Sequence, residues 1–170
     1  MPPAPVGPAE SPGPRTIGVT GVTGALGGAV TRLLLEQTAP ADRLVLLARR
    51  PEAAPSVPGA DVRKVDYADT PEVREALAGI DTLLMVSASE DVDRRGQHLA
   101  FVAAAAAAGV RHVVYTSFQG AAPDCPFTLG RDHFASEEAI RASGMEHTFL
   151  RDSFYADFLP LLAGEDGVIR

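Results

Sequence analysis

The sequence predicts an α/β fold, a doubly wound parallel sheet with helices on both faces. Apolar runs of strand length alternate along the chain with segments of helical periodicity. The run at residues 43–48 is apolar at nearly every position, as expected for a strand covered on both faces. A glycine-rich turn separates the first strand from the first helix. Because β-α-β units are right-handed, a central first strand predicts the strand order 3-2-1-4-5-6.

Up to residue 150 these patterns predict six strands and four helices. The strands are expected at residues 16–20, 43–48, 62–65, 81–86, 111–116 and 147–150. The helices are expected at residues 26–37, from Asp69 to about Gly79, at 91–108 and at 130–142. The segment from Asp69 to Pro71 is typical of a helix start, since a capping side chain precedes a proline. A further short helix is expected after Tyr155, and another strand is expected to begin at Gly167.

The glycine-rich turn predicts a phosphate cradle of the Rossmann type. Gly21, Gly24 and Gly27 recur at three-residue spacing between a β-branched strand and a helix. Gly21 permits a tight turn, Gly24 lets a pyrophosphate approach the backbone, and Gly27 lets the helix lie close to the strand. The helix N-terminus offers unpaired N–H groups to the anion. The alternative is a purely structural turn. The cofactor-binding residues predicted in this segment are Gly21, Thr23, Gly24, Ala25 and Leu26.

The end of the second strand favours NADP over NAD. An NAD site usually has an acid there, which accepts from the ribose 2′-OH, but this chain has Arg49 and Arg50. A guanidinium pairs with a 2′-phosphate instead. The alternative is that both arginines are merely solvated. Asp66 could accept from the adenine amino group or only cap a turn. Ligands of such sheets bind outside the carboxyl ends of the strands. The other candidates at those ends are Tyr67, Ser87, Ala88, Ser89, Thr116, Ser117, Asp152, Ser153, Phe154 and Tyr155.

Several kinds of catalytic site are excluded or disfavoured by the residues present. Lys64 is the only lysine, and no tyrosine has a lysine four residues later, so a Tyr-Lys acid/base pair is excluded. The four histidines lack the spacing of metal ligands. Cys125 has no histidine nearby in sequence to activate it. Hydride transfer from a reduced nicotinamide to a quinone demands little of the protein and is therefore attractive.

Taken together, the motifs resemble the NmrA-like atypical short-chain dehydrogenases, and most nearly their NAD(P)H:quinone oxidoreductase branch. The resemblance rests on residues 16–27, on the strand end at Arg49, on residues 65–67, 83–90 and 115–117, and on residues 150–155. It implies that the glycine turn and Arg49 bind NADPH. It also implies that the Ser-x-Ser segment and the segment after the sixth strand line the nicotinamide and substrate pocket.

The resemblance leaves the catalytic role open. His133 matches a position at which some relatives carry a functional lysine, so it could donate a hydrogen bond or a proton to a quinone oxygen. The alternative is a helix histidine that packs and caps. Phe154 and Tyr155 are either pocket walls or core aromatics. The function is either NADPH-dependent reduction of a quinone-like small molecule or, as in NmrA-type regulators, non-catalytic sensing of the dinucleotide. A fragment that folds poorly is a third possibility.

The composition limits the class of binding partner and the cellular compartment that we expect. The formal net charge of −7 argues against nucleic acid and against an anionic membrane surface. No apolar run reaches the roughly 20 residues that span a bilayer. One cysteine suits the cytoplasm. Residues 1–14 are expected to be a disordered proline-rich tail and residues 15–170 an NAD(P)-binding domain. Family members of this type continue further, so a substrate-covering C-terminal part is expected to be missing.

Overall fold

The computed structural model describes residues 13–37, 41–89, 91–156, 163 and 167. The expected disordered tail, the short helix after Tyr155 and the strand from Gly167 lie outside these residues almost entirely. The strands are β1 (Thr16–Thr20), β2 (Arg43–Ala48), β3 (Asp61–Lys64), β4 (Thr82–Met85), β5 (His112–Phe118) and β6 (Glu146–Asp152). The helices are α1 (Ala25–Gln37), α2 (Pro71–Leu77), α3 (Arg94–Ala107) and α4 (Thr128–Ala142). One 3-10 turn, Pro51–Ala53, follows β2.

The predicted topology is confirmed. The six strands form one sheet in the order β3-β2-β1-β4-β5-β6, and every pairing is parallel. β1 lies between β2 and β4, with Gly18 opposite Val45 on one side and Leu83 on the other. The strand order therefore reverses beside β1, and the carboxyl ends of β1 and β4 border the crevice where such folds bind ligands.

Two apolar layers hold the helices against the sheet. Inward side chains of the strands, such as Leu47 and Leu83, pack with α2, α3 and α4, where Leu77, Phe101 and Ile140 are fully buried. On the opposite face a smaller layer packs against α1 and the segment after the 3-10 turn. Its members include Val19, Leu46, Leu84, Val30 and Val57. The central strands are thus covered on both faces, as the continuous apolar run of β2 predicts.

Element ends differ from the predicted ones by a few residues, most clearly in the last two strands. β5 and β6 each run on by two residues, so that Ser117 pairs with Arg151 and Phe118 with Asp152. Each strand continues through polar residues because the backbone of the other strand supplies hydrogen bonds. The pattern of apolar residues in the sequence does not reveal these bonds. Thr70 is the capping residue of α2, and its hydroxyl accepts from the Val73 N–H. No helix in the described part of the chain is long and apolar enough to cross a membrane.

Candidate cofactor cleft and active site

The glycine turn has the geometry that a phosphate cradle requires. Gly21 has φ +66°, a backbone conformation that other residues rarely adopt. A Cβ on Gly27 would lie 2.3 Å from the Gly21 carbonyl oxygen, so only glycine lets α1 approach β1 this closely. A Cβ on Gly24 would meet only that same oxygen, at 3.3 Å. Packing therefore demands little of Gly24, whose missing side chain leaves the backbone open to a ligand. This is the division of roles expected for a dinucleotide turn.

The turn forms one wall of a cleft of about 340 Å³ across the carboxyl ends of β1, β2, β3 and β4. The lining residues include Gly21, Thr23 and Gly24 from the turn, Arg49 and Arg50 after β2, Asp66 and Tyr67 after β3, and Ser87, Ala88 and Ser89 after β4. Nine of the predicted cofactor residues, and Arg50 beside them, are thus brought together from four separate chain segments. Ala25 and Leu26 start α1 directly beside the lining residues.

Positive charge at the cleft is concentrated beyond β2. Arg49 and Arg50 are exposed and line the cleft. Within the described ranges no carboxylate forms an ion pair with either guanidinium. Other exposed arginines differ: Arg74 pairs with Asp69, whereas Arg43 and Arg95 form no ion pair among the described residues. Two guanidinium groups left available at a cleft wall suit an anionic ligand.

Tyr67 stabilises the floor of the cleft, and its hydroxyl is bonded to protein groups and is not available to a ligand. Its Oη lies 2.8 Å from Thr20 Oγ1 and donates to the Val86 carbonyl oxygen. Its ring stacks on Phe101, with ring centroids 4.4 Å apart. Burial raises the pKa of the Tyr67 phenol above its ordinary value. Tyr67 therefore stays neutral and ties the ends of β1 and β4 together beneath the site.

Thr116 and Ser117, at the end of β5, face different partners. Thr116 Oγ1 accepts from the Ser87 N–H at 2.8 Å, and this bond holds the end of β4 to β5. Ser117 Oγ points into the helical layer and donates to Glu137 Oε1 at 2.6 Å. Neither residue is part of the cleft lining. They support the cleft from behind, and their role as cofactor ligands stays a prediction.

A buried polar cluster lies directly behind the Ser87–Ser89 wall, between α3, α4 and β5. Nε2 of His98 accepts from the Ala88 N–H at 3.0 Å, and Nε of Arg94 donates to the Ala88 carbonyl oxygen at 2.9 Å. Arg94 also donates to Nε2 of His133 at 3.1 Å. Nδ1 of His133 is 2.9 Å from Tyr115 Oη. The predicted catalytic histidine is thus one member of a network that the spacing of the histidines does not reveal.

His133 fits the packing alternative better than the role of a proton donor. Its side chain is buried, and both ring nitrogens already have partners. Arg94 can only donate, so Nε2 accepts and Nδ1 carries the proton. Burial, reinforced by the charge of Arg94, lowers the pKa of His133 to about 4. A catalytic role for His133 stays a prediction, but the described geometry offers no free ring nitrogen for a substrate oxygen.

The two buried histidines make stability depend on pH. Burial, with the Arg94 charge second, lowers the pKa of His98 to about 3. In the unfolded chain both histidines titrate near 6.5, so between pH 6.5 and 4 the unfolded state holds more protons. We therefore expect the free energy of unfolding to fall below pH 6.5, by about 1.4 kcal/mol per pH unit for each histidine.

Urea unfolding at pH 7.5, 6.5, 5.5 and 4.5 measures this dependence. His133→Gln is expected to lower the slope by about half, because one of the two shifted groups is gone. A free energy of unfolding that stays constant between pH 7.5 and 5 would contradict the burial of neutral histidines.

A partly exposed aromatic cluster lies where β5 and β6 end and α4 begins. Phe118, Phe127 and Phe154 have mutual ring-centroid distances of 5.4 to 6.0 Å. The Phe154 side chain is 60% exposed, so it is not a core aromatic. Tyr155 is also exposed, and its hydroxyl donates to Asp152 Oδ2 at 3.3 Å. Ser153 is exposed between them. Asp152, Ser153, Phe154 and Tyr155 lie outside the cleft lining, and the exposed apolar surface here is that of Phe127 and Phe154.

The residues that sequence reasoning missed are Arg94, His98, Tyr115 and Glu137, all buried polar groups on α3, β5 and α4. One signal was available. His98 stands on the same helix face as Phe101, Val102 and Ala105, where an apolar residue is expected. Its partners come from other elements, so sequence spacing alone could not connect them. In the described part of the chain no three His, Cys, Asp or Glu side chains could hold a metal ion.

Comparison with known proteins identifies the family. A family model described as NAD(P)H-binding matches residues 21–159. The chain belongs to this NAD(P)H-binding family. Its match begins at Gly21, the first glycine of the turn, and covers all four strand ends of the cleft.

Similar members of the family are reductases. The chain is 37% identical over 143 residues to quinone oxidoreductase 2 of Escherichia coli, which covers 83% of this chain and 49% of that protein. The structure of the E. coli NADPH-dependent quinone oxidoreductase with NADPH superposes with a TM-score of 0.76 at 36% identity, covering 84% of this chain and 50% of that one. The Citrobacter sp. triphenylmethane reductase with NADP(H) superposes with a TM-score of 0.75 at 38% identity, covering 84% and 51%.

These comparisons confirm the resemblance to quinone oxidoreductases and the predicted Rossmann-like fold. The chain spans about half the length of the curated relatives it matches. The matched half contains the glycine turn and the cleft.

Proposed function

We propose that this chain binds NADPH in the cleft and forms the cofactor-binding part of a reductase that transfers hydride to a quinone or a similar small electrophile. The observation that carries the proposal is the pairing of an open glycine turn with two unpaired arginines across one cleft. The turn can hold a diphosphate through main-chain N–H groups, and the arginines can hold a 2′-phosphate. When bound, the nicotinamide supplies the hydride.

The chain's own residues would then bind and orient the reactants. Ser87, Ala88 and Ser89 form the wall nearest β5, and Thr116 holds Ser87 in place. The exposed rings of Phe127 and Phe154 offer a flat acceptor an apolar surface on which to stack. A hydroquinone anion is stable enough to take its proton from water, so the absence of a free acid in this part of the site does not prevent the reaction.

Oxidation of NADPH, followed by its absorbance with a panel of benzoquinones and naphthoquinones, tests the reductase proposal. We expect quinone-dependent loss of NADPH in a folded sample. A sample that binds NADPH but turns over no quinone would contradict the proposal for this chain.

The second candidate is a non-catalytic dinucleotide sensor of the NmrA type. It is favoured by one specific observation: the hydroxyl and imidazole groups beneath and behind the cleft, which could otherwise donate a proton, already bond to other protein groups. The hydroxyls of Tyr67, Tyr115 and Ser117 and both nitrogens of His133 all bond to other protein groups. A sensor would bind NADP⁺ and NADPH with similar affinity and show no turnover, whereas a reductase would show the turnover described above.

Arg49→Ala tests the preference for NADPH over NADH. Loss of a charge-assisted contact to the 2′-phosphate is expected to weaken NADPH binding by about 2 kcal/mol, or roughly 30-fold, and NADH binding hardly at all. Titration of both cofactors, followed by fluorescence, measures the two dissociation constants. Arg43→Ala is the matched control, because Arg43 is exposed at the opposite end of β2. Equal losses for both cofactors would remove the case for phosphate recognition.

The composition of the chain bears on its cellular compartment and on the class of its partner. We propose that the chain works in the reducing cytoplasm, which its single cysteine supports. The negative net charge supports a small molecule rather than nucleic acid as the partner.

A further inference from the structure

We propose that His98 is a positioning residue of the cofactor cleft, which it serves by holding the main chain of Ala88. This inference rests on the proposed binding of NADPH. His98 is not part of the cleft lining, but its ring packs edge-on against Tyr67, with ring centroids 5.5 Å apart, and its Nε2 bonds to Ala88. Ala88 forms the wall after β4 together with Val86, Ser87 and Ser89.

The wall is held from behind by buried side chains. Both main-chain polar groups of Ala88 bond to residues of α3: its N–H donates to His98 Nε2 at 3.0 Å, and its carbonyl oxygen accepts from Arg94 Nε at 2.9 Å. His98 is 0% and Arg94 is 3% exposed. A loop segment at the edge of a sheet is normally mobile. Here two buried side chains, one acceptor and one donor, determine the orientation of the Ala88 main chain.

The neighbours of the His98 ring determine which of its nitrogens accepts. Because the Ala88 N–H donates to Nε2, the neutral ring carries its proton on Nδ1. Nδ1 lies 3.1 Å from Ser136 Oγ, which in turn donates to the Asp132 carbonyl oxygen at 2.9 Å. Ser136 Oγ, and more distantly Tyr115 Oη at 3.3 Å, can therefore accept the Nδ1 proton, and Nε2 stays free of hydrogen. The lowered pKa of His98 maintains this neutral form throughout the physiological range.

The affinity for NADPH depends on whether the wall is held in place before the cofactor binds. With Nε2 in place, the segment Ser87–Ser89 has its bound shape before the cofactor arrives, and binding costs little ordering of the loop. Without the acceptor, the Ala88 N–H turns to another partner. Cofactor binding must then restore the wall, and the dissociation constant rises.

Two substitutions of His98 separate this role from general packing. In His98→Gln the side-chain oxygen can reach the position of Nε2 and still accept from Ala88. In His98→Asn the shorter side chain can reach only the position of Nδ1, so the bond to Ala88 is lost. Both variants remove the buried ring and are expected to lose similar stability. His112→Asn, at the start of β5 and the opposite end of the sheet, is the matched control.

Titration with NADPH and thermal unfolding are measured for each variant. We expect His98→Asn to raise the NADPH dissociation constant about tenfold, and His98→Gln and His112→Asn to change it less than about threefold. Hydrogen exchange of the Ala88 amide, measured without cofactor, is expected to accelerate in His98→Asn but not in His98→Gln. Should His98→Asn not fold, His98→Leu replaces it, because leucine fills much of the volume of the ring but cannot accept from the Ala88 N–H, so both readouts are expected to rise.

NADPH binding by the unsubstituted protein separates failure of the proposed function from failure of the positioning role. If the unsubstituted protein does not bind NADPH, the proposed function fails, and the exchange rates alone decide whether His98 holds Ala88. If the unsubstituted protein binds NADPH and the asparagine and glutamine variants bind it equally well, the positioning role is overturned.

Discussion

Gly27→Ala is expected to lower the free energy of unfolding by about 2 kcal/mol, although alanine is the better helix former. Its Cβ would lie 2.3 Å from the Gly21 carbonyl oxygen and 2.9 Å from that of Thr20. These are backbone atoms of the turn and of β1, so neither can rotate away, and α1 must shift from the sheet. NADPH binding should fall as well, because the turn is displaced.

Gly24→Ala should give the opposite pattern. Gly24 does not have a positive φ, and its Cβ would make a single tight contact of 3.3 Å, so stability should change by less than about 0.5 kcal/mol. NADPH affinity should nevertheless fall at least tenfold, because the new methyl group occupies the space through which a pyrophosphate approaches. Gly28→Ala, one turn along α1 and outside the cleft lining, is the control for both measurements.

Urea unfolding and NADPH titration of the three variants separate the two roles. A stable Gly27→Ala variant would show that α1 has room to approach the sheet. A Gly24→Ala variant that binds NADPH as tightly as the unsubstituted protein would remove the glycine turn from the cofactor site.

The second large effect is expected at Glu137, a carboxylate on α4 with a fully buried side chain. It accepts from Arg151 through both oxygens, at 2.8 and 2.6 Å, from Arg141 at 3.0 Å and from Ser117 at 2.6 Å. Burial opposes its ionisation, but the hydrogen bonds from Arg151 and Ser117 outweigh it and hold the pKa of Glu137 below its ordinary range. Glu137 thus joins α4 to β5 and β6.

Glu137→Gln is expected to lower the free energy of unfolding by about 3 kcal/mol at pH 7. The amide keeps the shape of the side chain but turns a donor group toward guanidinium groups that can only donate. Glu138→Gln is the matched control, because Glu138 is the next residue, pairs with the same Arg141 and is exposed. Its expected loss is below about 0.5 kcal/mol. Equal losses in the two variants by urea unfolding would show that burial of Glu137 contributes nothing.

The sequence predicted the frame of the site well, because its signals are local. Gly21, Gly24 and Gly27 lie within seven residues, and each role depends on backbone geometry that a nearby residue sets. The position of Arg49 followed from the end of an unmistakable apolar strand. Even the meeting of Arg49 with Ser87 at one cleft was predictable, since parallel strands bring their carboxyl ends to the same edge.

The partners of the buried polar residues were not predictable in the same way. The sequence shows only that the histidines lack the spacing of metal ligands, and it does not predict that Tyr115 Oη lies 3.3 Å from His98 Nδ1 and 2.9 Å from His133 Nδ1. A hydrogen bond between facing helices depends on how α3 and α4 cross the sheet, and no spacing along the chain encodes that crossing. For the same reason the sequence does not predict the hydrogen bond between Ser117 and Glu137, whose side chains come from β5 and α4.

By itself the sequence determined the order of the strands, the open glycine turn and the positive charge at the cleft, because these follow from apolar periodicity, backbone freedom and the rule of right-handed crossovers. Only the tertiary structure decided which polar side chains face the cofactor cleft and which hold it from behind. That choice is made by burial: away from water, His98, His133 and Glu137 must satisfy their hydrogen bonds within the protein, and the packing of α3 and α4 supplies the partners.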